Sequence, residues 1–467
     1  MPVKLKNIPR PPYRDGDRDR SASTTRLIEL MAKTEITVVA LTSIHPNPKN
    51  TKKHGARQTH LIAKNIEAFS FHTPIITDEA GMILCGHGRY QAARLLGLDR
   101  VPTIILRGLS EHEKQALAIS DNRLPQLGEY DLPLISQTIA QLYELDLEFD
   151  PSILGYDTVE IDNNLCGAPA KSKPDRADQC EHPAAAQRAV SRIGDVWLCG
   201  AHKVTCGDAL SNDTYDALMG HELAQTVFQD PPYNVRIKGH VSGRSGVREF
   251  TEAHGEMTSE QFTEFLGSSF AKTRRYVLDG AVIFICMDWR HLVELQQAAE
   301  PVFGSPKNLI VWVKNNGGMG TFYRSQHEFI LPFVAGDAPP INNFGLGAKG
   351  RYRTNVWQYP GLSSFGRGRD DTLAMHPTVK PVALVADALM DCSHRRGIVL
   401  DPFGGSGTTM IAAERTGRVA RLIEIDPLYC DVIVRRWEKF TGQQATLAGS
   451  DQTFRNIQTA GNTSEEA

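Results

Sequence analysis

The sequence predicts two α/β units in one chain: a small α/β domain near the amino terminus and, behind a linker, a doubly wound, mostly parallel sheet with helices on both faces. Three observations carry this expectation. The 467 residues exceed the roughly 100 to 200 that one ordinary domain holds. From about residue 193 onward, short apolar runs alternate with helical stretches, the pattern of strands buried on both sides. Between the two units, residues 163–190 are rich in Ala, Pro and Lys without periodicity, and read as a linker.

Taken in order, residues 1–32 carry Lys4, Lys6, Arg10, Arg14, Arg18, Arg20 and Arg26 among Pro, Asp and Ser, and are expected to be a flexible basic tail. The first domain is expected over 33–162, with strands at 36–41, 73–77 and 82–85. The second is expected over 191–450, with strands at 225–229, 281–287, 309–313, 329–334, 398–401 and 420–425. Residues 451–467 are polar and expected to fray.

Composition excludes several classes. The chain is 41% hydrophobic and 22% charged, and no apolar run approaches the roughly 20 residues of a membrane helix. The first 20 residues lack the apolar stretch of a secretory signal, so a cytoplasmic location is expected. Eight scattered cysteines imply free thiols rather than a disulfide framework. Cys199, His202 and Cys206, with Cys180 and His182 upstream, have spacings that can hold zinc, but the knuckle pattern is incomplete and no metal is expected. A net charge of −3 means that any nucleic-acid surface is a local patch.

Two motifs carry chemistry. Asp230-Pro231-Pro232-Tyr233 follows an apolar strand and so stands at its carboxyl end, where open α/β sheets bind ligands. An exocyclic base amine is a poor nucleophile because its lone pair is delocalised into the ring. Asp230 and the Pro231 carbonyl can each accept one of its protons, the prolines fix that carbonyl rigidly, and Tyr233 offers a face to a base taken out of the stack. The same tetrad also fits a plain turn.

The second motif, Asp401-Pro402-Phe403-Gly404-Gly405-Ser406-Gly407-Thr408-Thr409, again ends an apolar strand and opens an alanine-rich helix. Its glycines allow a ligand close to the backbone, and the helix start supplies free amides. It lacks the lysine of a phosphate-binding loop and the Gly-x-Gly-x-x-Gly of a dinucleotide site. Glu424 and Asp426 follow at the end of the next strand, where an acidic side chain holds a ribose diol in nucleoside-binding folds.

With these residues in place, 193–445 resembles the amino-group DNA methyltransferases of the beta arrangement, in which the catalytic tetrad precedes the cofactor loop. Gly207-Asp208-Ala209 and His376-Pro377-Thr378-Val379-Lys380-Pro381 extend the match. The resemblance implies a circularly permuted Rossmann-like sheet and S-adenosylmethionine as cofactor. It places the loop backbone against the methionine part, Glu424 on the ribose, Asp208 near the adenine, and Thr378 and Lys380 near the methionine tail. Asp at the first tetrad position is typical of adenine N6 enzymes; cytosine N4 is the alternative. The resemblance extends to phage and prophage modification methylases with a ParB-type front domain. Ile83-Leu84-Cys85-Gly86-His87-Gly88-Arg89-Tyr90 and Asp121-Asn122-Arg123 are similar to the ParB nucleotide-handling core. Gly86, His87, Arg89, Asn122 and Arg123 are thus the candidate nucleotide contacts. His87-Gly88 stands where partition proteins usually have Glu-Arg, and Pro125 is the third residue after Asn122, which counts against hydrolysis.

Residues 315–371 are rich in Gly, Asn and Arg, including Tyr323-Arg324, Arg351-Tyr352-Arg353 and Arg367-Gly368-Arg369. Such side chains hold phosphates and read major-groove edges, so double-stranded DNA is the expected partner and Arg324, Arg351 and Arg353 its expected contacts. A DNA-bound clamp whose methylase domain has decayed is the competing class. Intact tetrad, cofactor loop and Glu424 argue against it. A homodimer is left open.

Overall fold

A computed structural model of the chain describes residues 35–145, 151–166, 176–178, 180, 188–235, 255–315, 317, 322–347, 351–361 and 379–463. The basic tail expected over 1–32, together with Thr378, Arg367 and Arg369, lies outside the described residues. The chain forms two units: Met1–Asp131 with Asp146–Tyr156, and Leu132–Leu145 with Asp157–Ala467.

In the first unit β1 (Ile36–Ala40), β2 (Ile75–Thr77), β3 (Ile83–Cys85) and β4 (Arg100–Ile105) make a mixed sheet in the order β1-β4-β2-β3. Ile75, Ile83 and Val101 project into a small core closed by Ala93. That alanine lies on α2 (His87–Leu95), which follows α1 (Ala56–Phe69). Helix α3 (Glu111–Arg123) starts on a capping box, in which Ser110 and Glu113 each satisfy the other's backbone amide.

The second unit holds ten strands: β5 (Val196–Cys199), β6 (His202–Cys206), β7 (Ala224–Gln229), β8 (Val277–Met287), β9 (Ile310–Val313), β10 (His327–Val334), β11 (Val356–Gln358), β12 (Ile398–Asp401), β13 (Val419–Glu424) and β14 (Thr446–Leu447). Their order is β11-β9-β10-β8-β7-β12-β13-β6-β5-β14. The five central strands, β8 through β6, run parallel; the β9–β10 hairpin and the β5–β14 pair are antiparallel. The uninterrupted apolar run of β8 follows from this position. Val282, Phe284 and Cys286 face one core, while Ile283, Ile285 and Met287 face the other. Helices α6 (Asn212–Met219), α7 (Ser259–Arg275) and α8 (Leu292–Phe303) cover the second core. The first is covered by α9 (Val382–Cys392), α10 (Thr408–Thr416) and α11 (Pro427–Thr441). None of the described helices is long and apolar enough to cross a membrane.

Two expected boundaries move. Helices α4 (Leu132–Glu144) and α5 (Thr158–Cys166), assigned from sequence to the first domain, belong to the second unit. The reason is electrostatic: Asp162 on α5 is buried with Arg395 and Arg418 at 3.2 and 2.8 Å. Within the expected linker, Asp178 is buried and accepts a hydrogen bond from the Val382 amide at 2.7 Å, so the turn at 176–178 is anchored. The expected frayed end contains α12 (Phe454–Thr463), whose Phe454 is buried edge-on against Trp197 at 5.1 Å. One aromatic side chain anchors a segment whose average composition is polar.

Candidate active site

The chain runs from β7 outward to β8 on one side, and from β12 outward to β13 on the other. The connections therefore leave in opposite directions, and a crevice opens at the carboxyl ends of β7 and β12. Asp230 stands just past β7 and Asp401 at the end of β12. They line one cavity with Asp208, Phe403, Gly405, Glu424, Asp426 and Lys380. Sequence residues spread over more than 200 positions thus meet at one place.

On the Asp230 side the cavity wall is a charge network. Lys380 Nζ donates to Asp230 Oδ2 at 2.6 Å and lies 3.0 Å from Glu328 Oε2. The Tyr233 hydroxyl donates to Asp230 Oδ1 at 2.6 Å. Lys314 donates to the other oxygen of Glu328 and lies over the Trp312 ring at 4.7 Å. Two carboxylates and two ammonium groups balance, which is the condition for keeping charge out of water. Burial pushes Glu328 up, but Lys380 and Lys314 outweigh it and hold its carboxyl at about 2. Burial works against charge on Lys380, yet Asp230 and Glu328 raise its affinity for the proton. Burial also lifts Asp230 above the usual carboxylate range, with Lys380 pulling it back.

The resemblance expected Lys380 at the cofactor's methionine tail; here its ammonium holds the tetrad's carboxylate. Glu328 and Lys314 were not foreseen at all. Their sequence signal was a charged residue at the end of an otherwise apolar strand, next to His327 and Val313.

On the cofactor side, Asp401 is buried, accepting from Thr409 Oγ1 at 2.6 Å and the Phe403 amide at 3.0 Å. No ion pair to it is found among the described residues, and burial pushes its carboxyl up to about 8. Glu424 accepts from the amides of Gly405 at 2.7 Å and Asp426 at 2.9 Å. Burial nevertheless pushes it up to about 7. Helix α10 begins at Gly407 with no side-chain cap, leaving first-turn amides for another acceptor.

The glycines serve different ends. A Cβ at Gly407, where φ is +81°, would come within 3.0 Å of Ile433, and one at Gly404 within 3.2 Å of the Ile423 carbonyl. These two let the loop pack on α11 and β13. Only Gly405, with nothing nearer than 3.9 Å, faces open space. The expectation that all of them admit a ligand is therefore narrowed to Gly405.

Arg351 and Arg353, expected to contact DNA, are turned to carboxylates of the chain itself. Arg351 is 7% exposed and binds Asp387 and Asp391, each at 3.0 Å; Arg353 Nε binds Asp391 at 2.8 Å. They precede β11, which runs parallel to β9 and thus, through β10 and β8, parallel to β7. Their end of the sheet is opposite to that of Asp230. Arg324 is exposed.

In the first unit, Gly86 caps α2 with φ +100°, and a Cβ there would meet the Arg89 guanidinium at 2.9 Å. The His87 ring accepts the Asn47 amide at 3.1 Å. Asn122 donates back to the Ala118 carbonyl within α3, and Arg123 reaches Gln126 at 3.4 Å. Gly86, His87 and Arg89 thus gather at one helix start. Asn122 and Arg123 make local contacts, within α3 and with the turn that follows it.

The comparisons agree with both halves. Residues 224–435 match the N6/N4 methyltransferase family, described as DNA methylase. The ParB-like nuclease domain-containing protein YnaK of Escherichia coli (strain K12) is 36% identical over 83 residues, 18% of this chain and 95% of that protein. The type II methyltransferase M2.MboI of Moraxella bovis is 24% identical over 224 residues, 46% of this chain and 81% of that protein. The type II methyltransferase M.ScaI of Streptomyces caespitosus is 38% identical over 89 residues, 19% of this chain; the match spans 29% of that protein.

Proposed function

We propose that this chain, which belongs to the amino-group (N6/N4) DNA methylases and carries a ParB-like region in front, methylates the N6 amine of adenine at a specific site in double-stranded DNA. The observation that carries the reading is the position of Asp230. Its carboxylate is held by Lys380 and Tyr233 at the rim of the same cavity that Asp401 and Glu424 line.

S-adenosylmethionine is the cofactor, and the cavity's donor set fits it. A buried carboxylate without a cation, Asp401, suits an ammonium group; the uncapped start of α10 suits a carboxylate; Glu424 suits a ribose diol. Phe403, Val379 and Tyr429 supply apolar walls. When bound, the cofactor supplies an electrophilic methyl group on a sulfonium.

The chain's own residues prepare the amine. Asp230 and the Pro231 carbonyl accept its two protons, which draws the lone pair out of conjugation with the ring. Lys380 holds Asp230 in place and opposes the effect of burial on its charge, and Glu328 with Lys314 keeps Lys380 in place. Asp230 is also the group at hand for the proton the methylated amine must lose. Adenine rather than cytosine is favoured by Asp at position 230. At the ParB-like region, Gly86 and Arg89 are the candidates for a nucleotide.

The test incubates the full chain with DNA and tritiated S-adenosylmethionine and separates the digested nucleosides. Label in N6-methyladenine is expected. Label in N4-methylcytosine overturns the choice of base, and unlabelled DNA overturns the reading altogether.

A further inference from the structure

The β9–β10 hairpin rises from the same edge of the sheet as Asp230, because β9 runs parallel to β7 and β10 returns antiparallel. Its foot is part of the charge network: Lys314 follows β9 and Glu328 lies on β10. Above the foot, the Lys314 amide donates to the Gln326 carbonyl at 2.9 Å, and Gln326 Nε2 donates back to the Lys314 carbonyl at 2.8 Å. Farther out, Gly317 and Arg324 still face each other; a Cβ on Gly317 would meet the Arg324 Cβ at 3.0 Å. The hairpin is therefore closed well beyond its last ladder bonds.

Next to Arg324 stand Phe322 and Tyr323, 87% and 81% exposed, with their rings edge to face at 4.7 Å. Rings so exposed bury little area and contribute little to the fold. Leu346 and Tyr352 are as exposed, but both lie in the segment between the far end of β10 and the start of β11, away from Asp230. Trp289, which follows β8 at the catalytic edge, is 53% exposed, so among the large apolar side chains described at that edge the aromatic pair is the most exposed.

A base amine inside a duplex cannot reach a carboxylate on a cavity wall, so the base has to leave the stack. The vacated position is flat and apolar, the shape that inserted side chains fill in bent or opened DNA. Five extended residues from Glu328 to Tyr323 reach at most about 16 Å, against a major groove about 8.5 Å deep. Building on the reading of this chain as a duplex DNA methylase, we propose that Phe322 and Tyr323 form a wedge that enters the base stack at the target pair and occupies the place of the extruded base. Arg324, exposed beside them, is set to meet the adjacent phosphate. Recognition and catalysis are then joined by one hairpin, whose Phe322 and Tyr323 open the duplex and whose foot positions Lys380 on Asp230.

The test compares the wild-type chain, a Phe322→Ala/Tyr323→Ala double variant and Tyr352→Ala, an exposed aromatic at the opposite edge. Each is given two duplexes containing the site that single-molecule sequencing finds methylated in DNA from expressing cells. In one the target base is paired; in the other it faces an abasic position and is already free to leave. Tritiated methyl transfer is expected to fall about tenfold or more for the double variant on the paired duplex, and to return to within a few-fold of wild type on the abasic one. Tyr352→Ala should match wild type on both. An unchanged rate on the paired duplex overturns the wedge, and so does an equal loss on both. A wild-type chain that methylates neither duplex overturns the wedge and the methylase reading together, a result distinct from failure of the wedge alone.

Discussion

Replacing Asp230 by Ala tests the central assignment, because the structure separates what the carboxylate does for chemistry from what it does for stability. Asp230 Oδ2 takes the Lys380 ammonium at 2.6 Å and Oδ1 takes the Tyr233 hydroxyl at 2.6 Å. Removing it strands neither: Lys380 keeps Glu328 at 3.0 Å, and Tyr233 keeps Glu328 at 3.3 Å. The stability cost should thus be about 1 to 3 kcal/mol, as for a lost hydrogen-bond partner, rather than the roughly 3 to 5 kcal/mol of a buried charge left alone. The cofactor side keeps its hydrogen bonds, since Asp401 and Glu424 draw their partners from Thr409 and backbone amides. Turnover should fall on the order of a hundredfold or more, the scale of losing one preorganised contact to a reacting group. The assay pairs tritiated methyl transfer at saturating DNA and cofactor with calorimetric cofactor affinity and a denaturant melt. Near-normal turnover in a folded variant would refute the reasoning and leave the tetrad a structural turn.

Three further outcomes follow from the buried charges. Glu424 and Asp401, pushed up to about 7 and about 8, are largely protonated below pH 7 in the free protein, while the cofactor's diol and ammonium favour their ionised forms. Cofactor affinity should therefore rise between pH 6 and pH 8.5, and a flat calorimetric profile would contradict the assignment. Arg351→Ala should destabilise the second unit by about 1 to 3 kcal/mol, because Asp387 and Asp391 each lose a buried partner but keep Arg353. The salt dependence of DNA binding should stay as it was; a flattened salt slope without lost stability would restore the phosphate-contact expectation. A fragment starting at residue 132 should melt well above one starting at residue 191, since the shorter piece loses Asp162 and leaves Arg395 and Arg418 buried without it. Equal melting temperatures would show that α5 adds nothing to this unit.

Periodicity and residue type determined the architecture and the two motif loops. Strand runs that are apolar on both sides mark a sheet covered twice, and a tetrad such as Asp230 to Tyr233 needs only its own four residues to be read. The six strands expected in the second unit all form, with ends shifted by a few residues at most. Edge strands β11 and β14, and their inner neighbours β5 and β6 beside β14, escaped notice because runs of two to five residues are too short to carry a detectable alternation. Tertiary structure decided everything that depends on partners distant in the chain. Arg351 and Arg353 look like phosphate contacts in a loop rich in Arg and Gly, until the fold sets Asp387 and Asp391 against them. Lys380 reads from the sequence as a cofactor residue alone, and the fold adds that it stands between Asp230 and Glu328, which lie 150 and 52 positions away. A charged side chain is equally at home in water or opposite its counter-charge. The sequence records the charge, and only the folded chain records what stands across from it.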